Sequence, residues 1–164
     1  MKKRQIIGMT MLIFLCGTVT LFYLEMWLPH RTLYNSRQVD FEDDCQARKK
    51  VRDACHKILG YRIGNYHAVF MAICDVGNKD SVPYLIQTLK RLNLKSQSQK
   101  GLPTDRFYVN YKYHIDRCSS CLNKLTGMNF GADNIKWRDW WEQTGQHLPF
   151  DEEKRQLTPQ EETK

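Results

Sequence analysis

Three side chains capable of metal or thiol chemistry lie close together in the C-terminal half of the sequence. Cys118 and Cys121 have C-x-x-C spacing, and His114 lies four residues earlier, on the same face if this stretch is a helix. A zinc site needs four ligands and no second C-x-x-C completes these three, so the set is a weak metal candidate. A c-type haem would require histidine at Leu122. Small core residues have the same spacing, and that interpretation stays open.

Thiol redox chemistry is a second use of the same pair. Thioredoxin-like pairs begin a helix that follows a strand, whereas this pair falls within a predicted helix that no strand precedes. The sequence also shows no Gly-rich phosphate loop, no Ser-His-Asp set and no carboxylate pair placed for acid–base catalysis. We therefore predict a protein that is not an enzyme and has no cofactor. A thiol or metal enzyme that uses His114, Cys118 and Cys121 is the alternative.

The spacing of the cysteines limits which disulfides can form. Cys16 falls in an apolar N-terminal run, which leaves an odd five cysteines in the rest of the chain. Cys45 and Cys55 lie ten residues apart on one predicted helix, about 15 Å, whereas a disulfide needs Cα atoms within about 7 Å. Cys55 and Cys74 fall on facing predicted helices, and this pair is the disulfide candidate.

Basic residues dominate the middle of the chain. The protein has 25 Lys and Arg against 18 Asp and Glu, a net charge of +7. Lys90, Arg91, Lys95 and Lys100 cluster near one predicted helix end and its loop. Such a patch can bind an acidic protein or peptide, although solvated surface has the same composition. A basic helical stack can also bind the phosphate backbone of a nucleic acid. The N-terminal segment, however, predicts a membrane orientation that places the domain away from genomic DNA, so nucleic acid is the less favoured partner.

The N-terminal segment predicts a membrane anchor. Residues 6–24 are nineteen consecutive residues without a charge, about 28 Å as a helix, which is close to the hydrocarbon thickness of a bilayer. Residues 1–5 form a basic stub that contains Lys2, Lys3 and Arg4. By the positive-inside rule this stub is cytoplasmic, and the C-terminal domain is outside the cytoplasm, periplasmic or extracellular.

The far end of the run supports an uncleaved, single-pass signal anchor. Tyr23 and Trp27 lie there, where amphipathic rings favour the headgroup layer. A cleaved secretory signal is the alternative. Such signals have a shorter apolar region that ends in small residues, whereas this run is long and ends in bulky ones.

The rest of the sequence divides into a linker, a helical domain and a tail. Residues 25–41 show no clear period and predict a linker. Residues 42–147 contain five amphipathic stretches and no convincing period-two alternation, so we predict an all-α domain. Residues 148–164 have few apolar side chains and predict a disordered, charged tail.

Two of these stretches, 65–76 and 82–92, are joined by a tight turn after Gly77. So short a connection predicts that the two helices pack antiparallel. Polar residues over 93–105 predict a loop. A helix over 109–126 follows, and then a short last helix that Asp133 or Asn134 caps and that Gly145 ends.

Two segments of the domain resemble HEAT repeats. In Ala72–Leu89 a helix ends in a Gly turn, an amide and an acidic residue follow, and Val-Pro opens the next helix. Residues 121–141 are similar to the terminal unit of many bacterial HEAT-repeat proteins, in which Leu-Thr-Gly-x-x-Phe-Gly-x-Asp precedes Trp-Arg-x-Trp-Trp. Met128 and Asn129 stand where Gln-Asp is usual. The resemblance implies a short α-solenoid of about five helices that binds along its exposed helix faces.

Four aromatic residues belong to the terminal unit. Trp137, Trp140 and Trp141 have i, i+3, i+4 spacing, and Phe130 lies in the preceding turn. We expect the tryptophans to cover the open end of the stack with Phe130 beneath them. An aromatic ligand cage formed by Trp137 and Trp141 is the alternative.

Together, the anchor, the stacked helices and the absence of a catalytic pattern predict a non-catalytic, membrane-tethered HEAT-like module. We expect it to mediate protein–protein interaction outside the cytoplasm, with an unidentified protein or peptide as its partner.

Overall fold

The computed structural model describes residues 14, 16–35, 45–61, 66–98, 105–154 and 156–158. Residues 16–22 are helical and continue through a π-helical turn, Tyr23–Trp27, into the first α-helix. The helices are α1 (Leu28–Asn35), α2 (Cys45–Tyr61), α3 (Tyr66–Val76), α4 (Ser81–Ser98), α5 (Asp105–Thr126) and α6 (Asn134–Gln143). Two short strands, β1 (Phe150–Asp151) and β2 (Gln156–Leu157), pair antiparallel. The predominance of helix confirms the predicted all-α class.

Helices α2 to α6 form two layers. α2, α4 and α6 pack side by side in one layer, and α3 and α5 pack together in the other. The layers meet where α2 packs on α3 and where α4 packs on α5. The apolar stripe of each helix is buried between them, and Leu59, Phe70, Leu89 and Leu122 are among the core residues.

This packing differs from the antiparallel pair predicted for residues 65–76 and 82–92. α3 packs mainly on α2 and α5, whereas α4, which follows it, packs mainly on α5, α6 and α2. The turn between α3 and α4 therefore connects one helical pair to the next. Gly77 is required in that turn, because a Cβ atom there would lie 2.4 Å from the Ile73 carbonyl oxygen and 3.1 Å from Leu125 Cδ1.

The linker predicted over 25–41 is wrong for the described part of that range. α1 packs against α2 and α3; Leu33, only 3% exposed, joins the core, and Pro29 is buried. The physical reason that α1 docks is that α2 and α3 supply most of the apolar surface on which it packs. Two apolar side chains one turn apart are then enough to dock a short helix, although they are too few to produce a visible period.

The disordered tail predicted over 148–164 is wrong for residues 148–154 and 156–158. β1 and β2 form a hairpin, and Leu157 is buried where β2 packs on α5. Lys79 Nζ donates a hydrogen bond to the Leu148 carbonyl oxygen at 2.7 Å. The Gln156 side chain packs over Gly127, whose φ is +72°. The polar composition of this segment does not prevent docking, because α5 contributes the apolar surface.

The predicted Cys55–Cys74 disulfide is wrong. Cys74 on α3 is bonded to Cys121 on α5, with Cα atoms 5.1 Å apart. Cys55 on α2 is a free thiol with no exposed surface, and burial raises its pKa to about 12. α3 packs on both α2 and α5, and Cys74 lies on the face of α3 that meets α5 rather than on the face that meets α2.

No helix among the described residues is both long enough and apolar enough to cross a membrane. Of the predicted anchor, residues 6–13 and 15 lie outside the described residues, as does the basic stub over 1–5.

Candidate functional site

A groove of about 390 Å³ lies between α4 and α6, which are neighbours in one layer. We call it the α4–α6 groove. Aromatic and aliphatic side chains form much of its surface, and charged side chains lie at its rim, a composition typical of sites that bind ligands or peptides. The lining residues are Pro83, Tyr84, Ile86, Gln87 and Lys90 on α4 and Asn134, Arg138, Trp141 and Glu142 on α6.

The amphipathic pattern of α4 positions one wall of the groove. Leu85 and Leu89 point into the core and are fully buried. Pro83, Gln87 and Lys90, at i, i+4 and i+7, are exposed and follow one another along the other side of the helix. The core packing of α4 therefore fixes which side chains it presents to α6.

Side-chain hydrogen bonds fix the second wall against the first. Asn93 Nδ2 on α4 donates to the Ala132 carbonyl oxygen at 2.8 Å and to Asn134 Oδ1 at 2.9 Å. Asp133 caps α6 by accepting from the backbone N–H groups of Ile135 and Lys136, each at 3.1 Å. The Lys136 and Ile135 N–H groups hold the pKa of the Asp133 carboxyl below its usual value. The groove is thus preformed.

Tyr84 is held in place by a histidine of α2. Its ring stacks on His56 with centroids 4.4 Å apart and planes 10° apart. His56 Nε2 shares a hydrogen bond with Ser81 Oγ at 2.8 Å. Burial, and next the charge of Arg52, lower the pKa of His56. A neutral imidazole therefore supports the Tyr84 ring, which remains 38% exposed at the groove.

The charges at the rim are unequal. Two cations, Lys90 and Arg138, and one anion, Glu142, line the groove. Arg138 Nη2 is paired with Asp139 Oδ1 at 2.7 Å. Lys90 forms no ion pair with another described residue. Lys90 is therefore the cation available to a carboxylate that enters the groove.

The structure separates the members of the predicted basic patch. Lys90 lines the groove, whereas Lys95 is exposed one turn further along α4 and does not line it. The Arg91 guanidinium turns away and donates to the carbonyl oxygens of Leu59 and Gly60 at the end of α2. Arg91 caps α2 here, because free carbonyls at a helix C-terminus attract cations, and the partner-binding role predicted for it stays a prediction. Lys100 lies outside the described residues.

The predicted contact of Phe130 with the tryptophans is confirmed. Phe130 packs edge-to-face on Trp137 at 4.9 Å between centroids, and Trp140 lies 6.1 Å from Phe130. Trp137 is fully buried, and its Nε1 donates to the Gly131 carbonyl oxygen at 2.9 Å. The ligand cage of Trp137 and Trp141 is excluded, because Trp137 has no exposed surface. Trp141 is half-buried and lines the α4–α6 groove, a use the sequence did not indicate.

The possible metal or thiol residues do not form a site. Cys121 is in the disulfide and Cys118, which donates to the Leu85 carbonyl oxygen at 3.3 Å, faces α4. Burial raises the pKa of the Cys118 thiol. His114 lies beside Tyr66 and Phe70 instead, and burial and the charge of His67 lower its pKa. Within the part of the chain that the structure describes, no group of three or more His, Cys, Asp or Glu side chains could hold a metal ion.

Sequence reasoning missed Tyr84, Gln87 and Arg138 as lining residues. The available signal was the exposed side of each amphipathic helix, where Gln87 precedes Lys90 by three residues and Arg138 precedes Trp141 by three. That signal identifies two exposed stripes. It does not show that the stripes face each other.

No protein-family model, curated protein or solved structure matches this chain.

Proposed function

We propose that this protein is a non-catalytic helical module of the HEAT-like α-solenoid type that binds a segment of another protein in the α4–α6 groove. Two features support the solenoid assignment: the alternation of helices between two layers and the stacking of the α2–α3 pair on the α4–α5 pair. The observation that carries the binding function is a preformed groove with aromatic walls, lined by Lys90, which forms no ion pair with another described residue.

The chemistry of the groove indicates the kind of segment it binds. Tyr84 and Trp141 offer aromatic surface from opposite walls, which suits one apolar side chain of the partner. Lys90 lies at the rim and suits a carboxylate beside that side chain. The occupant we propose is a short protein segment that carries an aromatic or aliphatic residue next to an acidic one.

We also propose that the module is tethered to a membrane by its N-terminal segment and lies outside the cytoplasm. The uncharged run over 6–24 and the basic stub over 1–5 support this placement. The Cys74–Cys121 disulfide supports it independently, because disulfides persist in compartments that oxidise thiols.

The other two functions are weaker proposals. A phosphate backbone is bound by rows of cations, whereas the groove has both signs of charge at its rim and aromatic walls. A thiol enzyme needs an accessible thiolate, and Cys118 is fully buried with a raised pKa.

The test is a binding assay with full-length protein in lipid nanodiscs and an array of synthetic peptides that vary one apolar and one acidic position. We expect retention of peptides that contain both. Lys90→Glu removes the preference for an acidic residue and weakens binding of those peptides about 5- to 10-fold, a ratio typical of one exposed charge pair that is reversed. Gln87→Trp fills the groove and abolishes retention of all peptides.

The matched control is Lys95→Glu, the same charge change on the same helix at a position outside the groove. We expect Lys95→Glu to bind like the unmodified protein. Equal loss in both charge variants would mean that only general surface charge attracts the peptides. Unchanged binding by Gln87→Trp would contradict the groove as the site.

A further inference from the structure

The last turn of α2 meets the N-terminal helix at Glu25. The Tyr61 hydroxyl donates a hydrogen bond to the Glu25 carboxylate, and Lys57 Nζ lies 3.8 Å from Glu25 Oε1. Glu25 is the first charged residue after the uncharged run over 6–24. The end of α2 therefore lies at the level where the chain would leave a bilayer.

Aromatic and basic side chains surround this level. Tyr23 and Trp27 stack with centroids 4.8 Å apart, and Arg31 Cζ lies 5.1 Å from the centre of the Trp27 ring. Trp27 on the N-terminal helix and Tyr61 on α2 are each 45% exposed. Amphipathic rings and long cationic side chains are the residues that concentrate in lipid headgroup layers. Here they come from two elements that are distant in sequence.

The side chains before this level are apolar and exposed. Val19, Leu21 and Phe22 are each more than 60% exposed, although they belong to the same continuous helix. A hydrocarbon environment covers such a helix on all sides, whereas water would leave an unusually large apolar surface exposed. The change from apolar to aromatic and charged side chains therefore follows the order of a bilayer: hydrocarbon first, headgroups next.

Contacts in the core of the helical domain fix the domain relative to this N-terminal helix. The helix continues from residue 16 to Asn35, and its last part, α1, inserts Leu33 into the core and buries Pro29. The exposed pair of Glu25 with Lys57 adds little to this attachment, since solvent screens such surface pairs. The buried contacts of α1 hold the domain in one orientation.

We propose that the last turn of α2, with Lys57 and Tyr61, contacts phospholipid headgroups, so that the helical domain is held directly against the membrane in one orientation. This proposal rests on the proposed membrane anchor. It replaces the predicted linker, which would leave the domain free to reorient, by a rigid junction.

The test uses fluorescent labels on single exposed thiols of the full chain, reconstituted into phosphatidylcholine–phosphatidylglycerol vesicles; the free thiols of Cys55 and Cys118 are buried. Part of the phosphatidylcholine carries a quenching nitroxide, on its headgroup in one set of vesicles and in the middle of an acyl chain in a second set. One protein keeps the exposed Cys16 and has Cys45→Ser. The second has Cys16→Ser and Cys45→Ser with Gly60→Cys, a site in the last turn of α2 where an added Cβ meets no heavy atom within 4 Å. The third has the same background with Ile135→Cys, an exposed site on α6.

We expect the acyl-chain nitroxide to quench the label at position 16 most strongly, and the headgroup nitroxide to quench the label at position 60 several times more than the label at position 135. Quenching of position 16 by the acyl-chain nitroxide, with no quenching of position 60 by the headgroup nitroxide, would overturn the headgroup contact and leave the anchor standing. No quenching at any position would refute the anchor, and with it this proposal. Equal quenching at positions 60 and 135 would show that the domain has no preferred orientation, which also overturns it.

Discussion

Loss of the Cys74–Cys121 disulfide should lower the free energy of unfolding by about 4 kcal/mol. The two cysteines are 47 residues apart in the sequence, and the loop between them contains the whole of α4. In the chain-entropy description, a cross-link over such a loop removes about 13.6 cal/mol/K from the unfolded chain, about 4 kcal/mol at 25 °C. The free energy of unfolding of a typical domain is roughly 5–15 kcal/mol, so the disulfide would supply a large share of the stability of this one.

The assay is urea unfolding of the full-length protein in detergent, followed by circular dichroism, with and without a phosphine reductant. With an m-value of about 2 kcal/mol/M, the midpoint should fall by about 2 M on reduction. The double variant Cys74→Ala/Cys121→Ala should unfold at a lowered midpoint that the reductant no longer changes. Cys118→Ala is the matched control: it removes a buried free thiol from the same helix and should retain the response to the reductant.

A thiol count gives an independent check. Under denaturing, non-reducing conditions four thiols should react, those of Cys16, Cys45, Cys55 and Cys118. Six reactive thiols would refute the disulfide. A shift of less than about 1 kcal/mol on complete reduction would refute the loop-entropy reasoning even if the bond is present.

Three further predictions concern individual side chains. Trp137→Ala should lower the free energy of unfolding in urea by about 3–5 kcal/mol, because the Trp137 ring is fully buried. Trp141→Ala should lower it by less, because Trp141 is half-buried, and equal losses would contradict the assignment of Trp141 to the groove wall. Leu33→Ala should cost about 2–5 kcal/mol if α1 belongs to the core, and close to nothing if residues 25–41 act as a linker. The pKa of Asp133 is lowered in the folded protein, so its contribution is present above the ordinary value of 3.8 and is lost as the pH falls through the depressed pKa. Asp133→Asn, which keeps a capping oxygen, should remove that part of the pH dependence of unfolding, which lies below about pH 4.

The positions of α2 to α6 could be predicted from the sequence because apolar side chains recur along each of them at helical spacing. The first and last residues of these helices were harder to predict. α4 continues to Ser98 and α5 begins at Asp105, which shortens the loop predicted over 93–105. The added turn of α4 carries polar side chains apart from Leu94, and the added turn of α5 is only four residues long, so neither has an apolar stripe by which to recognise it.

Only part of the candidate site could be predicted. Lys90 and Trp141 were each singled out, but for different roles, and their meeting across one groove depends on how α4 packs on α6. Arg91 has the same charge as its neighbour and points to the end of α2 instead. The side chains of adjacent residues on a helix point about 100° apart. Once α4 is packed against its neighbours, the side chains of Lys90 and Arg91 therefore face different surroundings, and the predicted basic patch is divided.

The sequence by itself determined the all-α class, the five helices of the domain and the contact of Phe130 with the tryptophans that follow it, because each depends on residues close together in the chain. The tertiary structure decided which helices pair and that Cys74 forms its disulfide with Cys121 rather than with Cys55. It also decided that Leu33 and Leu157 are buried and that a groove opens between α4 and α6. The physical reason is that helical periodicity identifies the face that a helix buries. Which neighbour covers that face depends on the complementarity of surfaces distant in sequence.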